Sequence, residues 1–512
     1  MSIAGNRRQR TPKTGKTTYF AFDRLQKLNR AILLGGLLIL PNSSKAIKNP
    51  KTGSEKSNLL IIMTDEHNFR TLGCYRELLS HDQAFVWGDG NNVETPHIDF
   101  LAKNGVLFTK FYASTPLCSP SRGSFVSGMY PQHNGVPKND VPIHDDVITF
   151  AEVLRQDGYR TGYAGKWHLD GESIPQWAPE RQFGFTDNRY MFNRGHWKKL
   201  EDTPEGPVVN ARLDSADEKS FTTDFLTDKA INFIKTNKTK QFCYMLSFPD
   251  PHGPDKVRPP YDTMYEGMSF EAPRTYNKPV EGVPAWAKPK EGEGIDQSQY
   301  FGMVKCIDDN IGRLTECLRQ NGLLQNTIIV FTADHGDLRA EHHRYNKSVP
   351  LEASAKVPFI VYYLAKIRAG SVVNNAFNNV DFAPTILKLL NQKIPRKMQG
   401  TDFSELILKP EKQHKWKDIT FVRSAGMGSD GTWIAAFTSR YKLIISKNDD
   451  PWLIDMETDP DELINFINEP GKAEIVKELA NGLNEYRQKY SDPFLQGTKM
   501  GENLNSLLVT YK

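Results

Sequence analysis

The segment TPLCSPSRGSFVSG (115–128) places a thiol, Cys118, two residues before Pro120 and four before Arg122. It leads into a stretch able to start a helix, whose free N–H groups favour an anion. Read plainly it is a capped helix start with a buried thiol; read chemically, it is a nucleophile beside a fixed cation. Four other polar groups follow apolar, β-rich runs: DEH (Asp65, Glu66, His67), KWH (Lys166, Trp167, His168), PDPH ending at His252, and DHGD (Asp334, His335, Gly336, Asp337). All would emerge at the C-terminal ends of strands, where open α/β sheets gather their ligands. Singly, an Asp or His after a strand caps a helix or makes a turn. Together, Asp65, Glu66, Asp334 and His335 offer mostly hard oxygen ligands and one imidazole, a set that suits Ca²⁺, or Mg²⁺, better than a soft metal.

The runs that must position these groups are NLLIIM (58–63), GYRTGYAG (158–165), FCYMLSF (242–248), TIIVFTA (327–333) and VPFIVYYL (357–364), which read as buried strands. Amphipathic stretches at 149–157, 221–237, 299–321 and 380–390 alternate with them, so the chain is expected to be α/β, with helices flanking a sheet. Residues 253–295, rich in Pro, Gly and charge, read as a surface excursion that shapes the substrate site. After about 410 the pattern changes to short strands (TWIAAFTS, YKLIIS), a turn-rich DMETDPDE and a final helix near 471–490. This divides the chain into a catalytic domain at 57–410 and an α+β C-terminal subdomain at 411–512.

At 512 residues, with 38% hydrophobic and 11% aromatic content, the chain can bury a large core. Its start is basic, then apolar (AILLGGLLIL, 31–40), then small-residue (PNSSKA), the order of a secretory signal peptide over 1–46. Export to the periplasm or beyond is expected. Ten apolar residues are too few for a membrane span, which needs about 20. The leader holds nine of the 65 Lys/Arg and one of the 61 acids, leaving 56 basic against 60 acidic side chains. The basic balance thus belongs to the leader, and nucleic-acid binding is not indicated. The five cysteines (Cys74, Cys118, Cys243, Cys306, Cys317) make no disulfide framework. Cys306 and Cys317 fall in one expected helix about 16 Å apart, too far to bridge.

LCSPSRGSFVSG resembles the C-x-P-S-R motif of the formylglycine-dependent (type I) sulfatases of the alkaline phosphatase superfamily. TPHIDFLAKNGVLFTKFYA, GYRTGYAGKWHL, FTADHGD and HHRYNKSVPLEASAKVPFIV follow the family's order, and YKLI…LIDMETDPDELINFIN resembles its closing strands, so the likeness spans about 57–500. The resemblance implies a large mixed sheet sandwiched by helices with a smaller C-terminal α+β subdomain. It implies that a maturation enzyme oxidises Cys118 to formylglycine, whose metal-bound hydroxyl, with Cys118 so counted among the ligands, attacks sulfur while the second hydroxyl drives release of sulfate. Arg122 would hold that group, Lys166 and Lys347 would bind sulfate oxygens, His252 would protonate the leaving oxygen and His168 would be the final base. Two departures stand out: Glu66 occupies a position where the family more often has aspartate, and VPLEAS after Lys347 lacks the usual aromatic-acid-acid pattern.

Such enzymes act on sulfated polysaccharides or oligosaccharides, and Trp167, Trp177, Tyr190, His196 and Trp197 could line a sugar subsite or equally belong to the core. His97, Asp337, Arg339, His342 and His343 are candidate sugar contacts. The rival readings are a phosphonate or phosphate ester hydrolase of the same superfamily and a non-catalytic glycan-binding relative.

Overall fold

The computed structural model describes residues 56–511 apart from 211–215, 291, 293–294, 411, 413–415 and 427–430. The signal peptide expected at 1–46 lies outside the described residues. Among the described residues no helix is long and apolar enough to cross a membrane.

The expected α/β architecture is present. An eight-stranded mixed sheet runs in the order Ser371–Val373, Val106–Phe108, Phe359–Tyr362, Thr327–Ala333, Asn58–Asp65, Phe242–Pro251, Arg160–Lys166, Asp187–Phe192. Phe359–Tyr362 is antiparallel to both neighbours and every other pair is parallel. The central strand Asn58–Asp65 is buried along its whole length, as its apolar run requires when both faces are covered. Its side chains alternate: Leu59, Ile61 and Met63 enter one core and Leu60 and Ile62 the other. Helices Thr222–Thr236 and Gln297–Gln320 cover the second core. Phe150–Gln156, opened by a Thr149/Glu152 capping box, and Phe382–Leu389 cover the first. All five cysteines are free.

Residues 253–295 carry among their described residues only the short 3₁₀ turn Ala285–Ala287, in keeping with a surface excursion. A four-stranded antiparallel sheet (Thr420–Arg423, Trp433–Phe437, Tyr441–Ser446, Trp452–Asp455) follows, backed by Ala473–Tyr490 and by Lys499–Thr510, a helix the sequence reading did not separate. Its second face meets Tyr112, Leu351 and Trp286 of the larger part. The segment after Lys347 is gripped from this sheet. Trp433 Nε1 donates to Ser348 O at 3.3 Å, and buried Lys442 Nζ reaches Pro350 O at 3.0 Å, Glu462 at 2.6 Å and Glu352 at 2.9 Å. VPLEAS thus departs from the family pattern while keeping an acid, Glu352, at the joint. Lys442→Met should cost about 3–5 kcal/mol, because it strands the buried Glu462 carboxylate, while Glu352 keeps Lys110 and Lys356. Urea unfolding checks this, and an unchanged midpoint would show that the grip carries no stability.

Candidate active site

Four adjacent parallel strands end at one place. Asn58–Asp65 ends on Asp65, Arg160–Lys166 on Lys166, Phe242–Pro251 just before His252, and Thr327–Ala333 just before Asp334. Opposite them Cys118 is the first residue of helix Cys118–Ser127, all ten residues of which are buried. Pro120 is tolerated there because first-turn N–H groups lack intrahelical partners. Leu117, the residue before the helix, makes no side-chain cap, and its carbonyl takes the Ser121 N–H at 3.0 Å. Asn139 Oδ1 takes the Ser119 N–H at 3.0 Å, and Asn379 Nδ2 donates to Ser121 Oγ at 2.7 Å, while Ser121 Oγ donates to the carbonyl of Asp334.

Arg122 is the hub. Its Nε meets Asp334 Oδ2 at 2.8 Å, one Nη meets Asp65 Oδ2 at 3.2 Å, and the other donates to Lys166 O at 2.6 Å and Ser247 Oγ at 2.7 Å. Lys166 Nζ also pairs with Asp65 Oδ2. Burial raises the Asp65 carboxyl's pKa, but Lys166 and Arg122 outweigh this and hold it well below the usual range. The cations take the Oδ2 atoms. The Oδ1 atoms face inward, where His335 Nε2 lies 3.9 Å from Asp65 Oδ1, 3.6 Å from Asp334 Oδ1 and 3.2 Å from Cys118 Sγ. Burial alone would raise the Cys118 thiol, yet Lys166 and Lys347 hold it well below its ordinary value, so the field at position 118 favours negative charge.

A second group sits beside the first. Glu66 Oε2 meets His252 Nε2 at 2.7 Å and Lys347 Nζ at 2.8 Å, and Lys347 Nζ lies 3.0 Å from His252 Nε2. His252 stacks on His196 with ring centroids 3.5 Å apart, and His196 Nε2 lies 2.8 Å from Lys166 Nζ. The turns that present these side chains are strained: Glu66, His168, Asn346 and Ser348 all have φ between 58° and 81°. Non-glycine residues held there cluster at functional sites because the surrounding structure must over-determine them. Gly165 has no such choice, since a Cβ there would lie 1.8 Å from Ser247 O.

Asp65, Cys118, Asp334 and His335 can bring one ligand atom each within 4.8 Å of one another. A hard divalent cation fits this set: two buried carboxylate oxygens face inward, and His335 Nδ1 is bonded to Gly336 O at 2.9 Å, turning Nε2 to the centre. Glu66, expected among the ligands, is not in this group. Its extra methylene takes Oε2 to Lys347 and His252, leaving Oε1 buried without a partner.

His168 lies beside this cluster. Its Nε2 is 2.9 Å from Asp140 Oδ1, next to the Asn139 that holds Ser119. Asp337 and Arg339 line a cavity of about 530 Å³ that opens on Glu66 and His252. The other candidate sugar contacts are placed as follows. His97 packs against helix Gln297–Gln320, 4.0 Å from Asp309. His342 is buried and its backbone N–H is bonded to Thr275 Oγ1 at 3.1 Å, and His343 stacks on Tyr276 at 4.3 Å; neither lines this cavity. Trp167 is core, 4.7 Å from Phe183, and Trp177, Tyr190 and Trp197 pack on the second core. His196 alone of that aromatic group enters the site. The sequence reading missed the positioning roles of Ser121, Asn139, Ser247 and Asn379, for which no local signal exists.

Fold and site together define an alkaline phosphatase-like α/β hydrolase with a buried cationic pocket. The chain belongs to the sulfatase family: the model described as Sulfatase matches residues 57–392, and the model of the N-sulphoglucosamine sulphohydrolase C-terminal region matches 340–489. It is a sulfuric ester hydrolase. It is 27% identical to an N-acetylglucosamine-6-O-sulfatase of Bacteroides thetaiotaomicron, over 91% of this chain and 92% of that one. It is 28% identical to an ulvan-active sulfatase of Formosa agariphila, over 86% and 82%. A solved structure of a protein in complex with its substrate D-glucosamine-2-N,6-O-disulfate superposes with a TM-score of 0.71 at 25% identity, over 86% of this chain and 99% of that one. A phosphonate monoester hydrolase from Silicibacter pomeroyi shares the fold, with a TM-score of 0.67 at 23% identity over 86% and 97%.

Proposed function

We propose that this sulfatase removes sulfate esters from a sulfated polysaccharide or oligosaccharide, using formylglycine made from Cys118 by a maturation enzyme, and that it is exported by the leader at 1–46. The observation that carries this reading is Cys118 at a helix N-terminus, with Lys166 and Lys347 lowering its pKa and His335 Nε2 3.2 Å away. The named sulfated-sugar relatives support the substrate class.

Formylglycine supplies a hydroxyl nucleophile in place of the thiol. A Ca²⁺ or Mg²⁺ ion held by Asp65, Asp334 and His335, together with position 118, supplies positive charge beside the reacting oxygens. Lys166 and Lys347 bind the sulfate oxygens and stabilise charge as the ester bond breaks. His252 gives its Nε2 proton to the leaving alkoxide, with Gly253 O accepting from Nδ1 at 2.9 Å and Glu66 Oε2, 2.7 Å from Nε2, holding the protonated ring in place for this. His168 accepts the last proton: with Nε2–H donated to Asp140, its partnerless Nδ1 carries the lone pair.

Turnover of an aryl sulfate should exceed that of an aryl phosphonate monoester by about 100-fold or more in kcat/KM. The reverse preference would move the chain to the phosphonate hydrolases. Exhaustive chelation should lower aryl sulfate turnover by about 100-fold, with recovery on adding Ca²⁺. Full activity after chelation would remove the metal from the proposal.

A further inference from the structure

The cavity that opens on Glu66 and His252 continues into a second, of about 630 Å³; Arg339 and Tyr345 line both. The charge of the walls is one-sided. Asp255 and Asp337 line the first cavity, and Glu266, Glu271 and Asp296 line the second. Among the described lining residues Arg339 is the one Lys or Arg, and its charge is taken up. Its two Nη atoms meet Asp255 at 3.2 and 2.9 Å, Asp337 lies 3.7 Å away, and the guanidinium lies over the Tyr300 ring at 4.1 Å.

The acids alone would fit a cation as well as a sugar. Gln297 separates the two. It is 7% exposed, its Oε1 accepts from Arg339 Nε at 3.1 Å, and its Nε2 is buried without a partner. A buried donor left open calls for an acceptor oxygen, which a metal ion or an amine cannot give. Carboxylate acceptors, one amide donor and the rings of Tyr276, Phe270 and Trp87 make up the chemistry that binds a hydroxyl-bearing pyranose.

We propose that this double cavity is a subsite for an uncharged sugar unit joined to the sulfated one, and that it rejects a unit carrying a carboxylate or a second sulfate. The proposal rests on the sulfatase reading of the neighbouring site. With Asp255 and Asp337 set against Arg339, an anionic sugar placed here would still face Glu266, Glu271 and Asp296 with no unpaired Lys or Arg among the described lining residues to receive it, and like-charge juxtaposition is how such surfaces exclude the wrong partner.

Binding reads the subsite without the chemistry. Calorimetric and saturation-transfer titrations of the full chain would use unsulfated disaccharides of the gluco and galacto series and the same disaccharides oxidised at C6 to uronates. At least one neutral disaccharide should bind saturably, with its uronate about tenfold weaker or worse. Gln297→Leu should weaken the neutral sugar about fivefold or more. Glu271→Lys, at an exposed position, should narrow the neutral-to-uronate gap to within about threefold even if the Gln297 variant fails to fold. Uronates binding as well as neutral sugars, or no neutral disaccharide binding, would overturn the proposal. Aryl sulfate hydrolysis reports the parent reading separately: sugar binding without any sulfate release would sink that reading and leave the neutral-sugar site standing.

Discussion

Cys118→Ala should abolish sulfate release, by about 10⁵-fold or more in kcat, while leaving the protein folded. The two halves of this expectation come from different observations. Cys118 stands at the N-terminus of helix Cys118–Ser127, beside His335 Nε2 and in the field of Lys166 and Lys347, so a nucleophile there is held where negative charge is favoured. Its structural role is slight. Sγ makes two contacts, with His335 at 3.2 Å and Asp65 at 3.9 Å, and the helix is held through Ser119, Ser121 and Arg122 instead. The variant should therefore unfold within about 1 kcal/mol of the parent chain. Sulfate release by the alanine variant at a tenth of the parent rate or better would mean that another group attacks, or that water does.

Arg122→Met should be damaging in both respects. One guanidinium spans two carboxylates, a main-chain carbonyl and a hydroxyl while 2% exposed. Removing it leaves Asp334 Oδ2 with no cation and Asp65 with Lys166 alone, both at 0% exposure. Breaking a buried pair by deleting one partner costs about 3–5 kcal/mol, because the remaining charge is stranded. Turnover should fall by about 10³-fold or more, since the inward Oδ1 atoms lose the fixed partner that aims them. Arg122→Lys should not restore either property: a compact ammonium cannot reach both carboxylates and Lys166 O together. Denaturant unfolding and single-turnover sulfate release check the two parts, and a variant as stable as the parent would show that Arg122 is not the hub.

Much of this was legible in the sequence because a parallel sheet delivers its chemistry at strand ends. Asp65, Lys166, His252 and Asp334 each follow an apolar run, and the fold sets their four strands side by side. The edge strand Ser371–Val373 and its neighbour Val106–Phe108 are three residues long, too short to show a period. Contacts made across long sequence separations were invisible for a different reason. Asn379 reaches Ser121 over 258 residues and His97 meets Asp309 through helix packing, so no local pattern marks either. Glu66 was half legible. Its place after the strand put it at the site, but its Oε2 partners, His252 and Lys347, come from distant segments that no local pattern joins to it.

The most direct test of the central claim is to measure, on one set of preparations differing in maturation, both the fraction of aldehyde at position 118 by peptide mass and the rate of sulfate release from a panel of sulfated polysaccharides and oligosaccharides. Release from at least one glycan is expected, at a rate proportional to the aldehyde fraction and absent where Cys118 remains a thiol. Release independent of that fraction, or none from any glycan at full conversion, would contradict the claim.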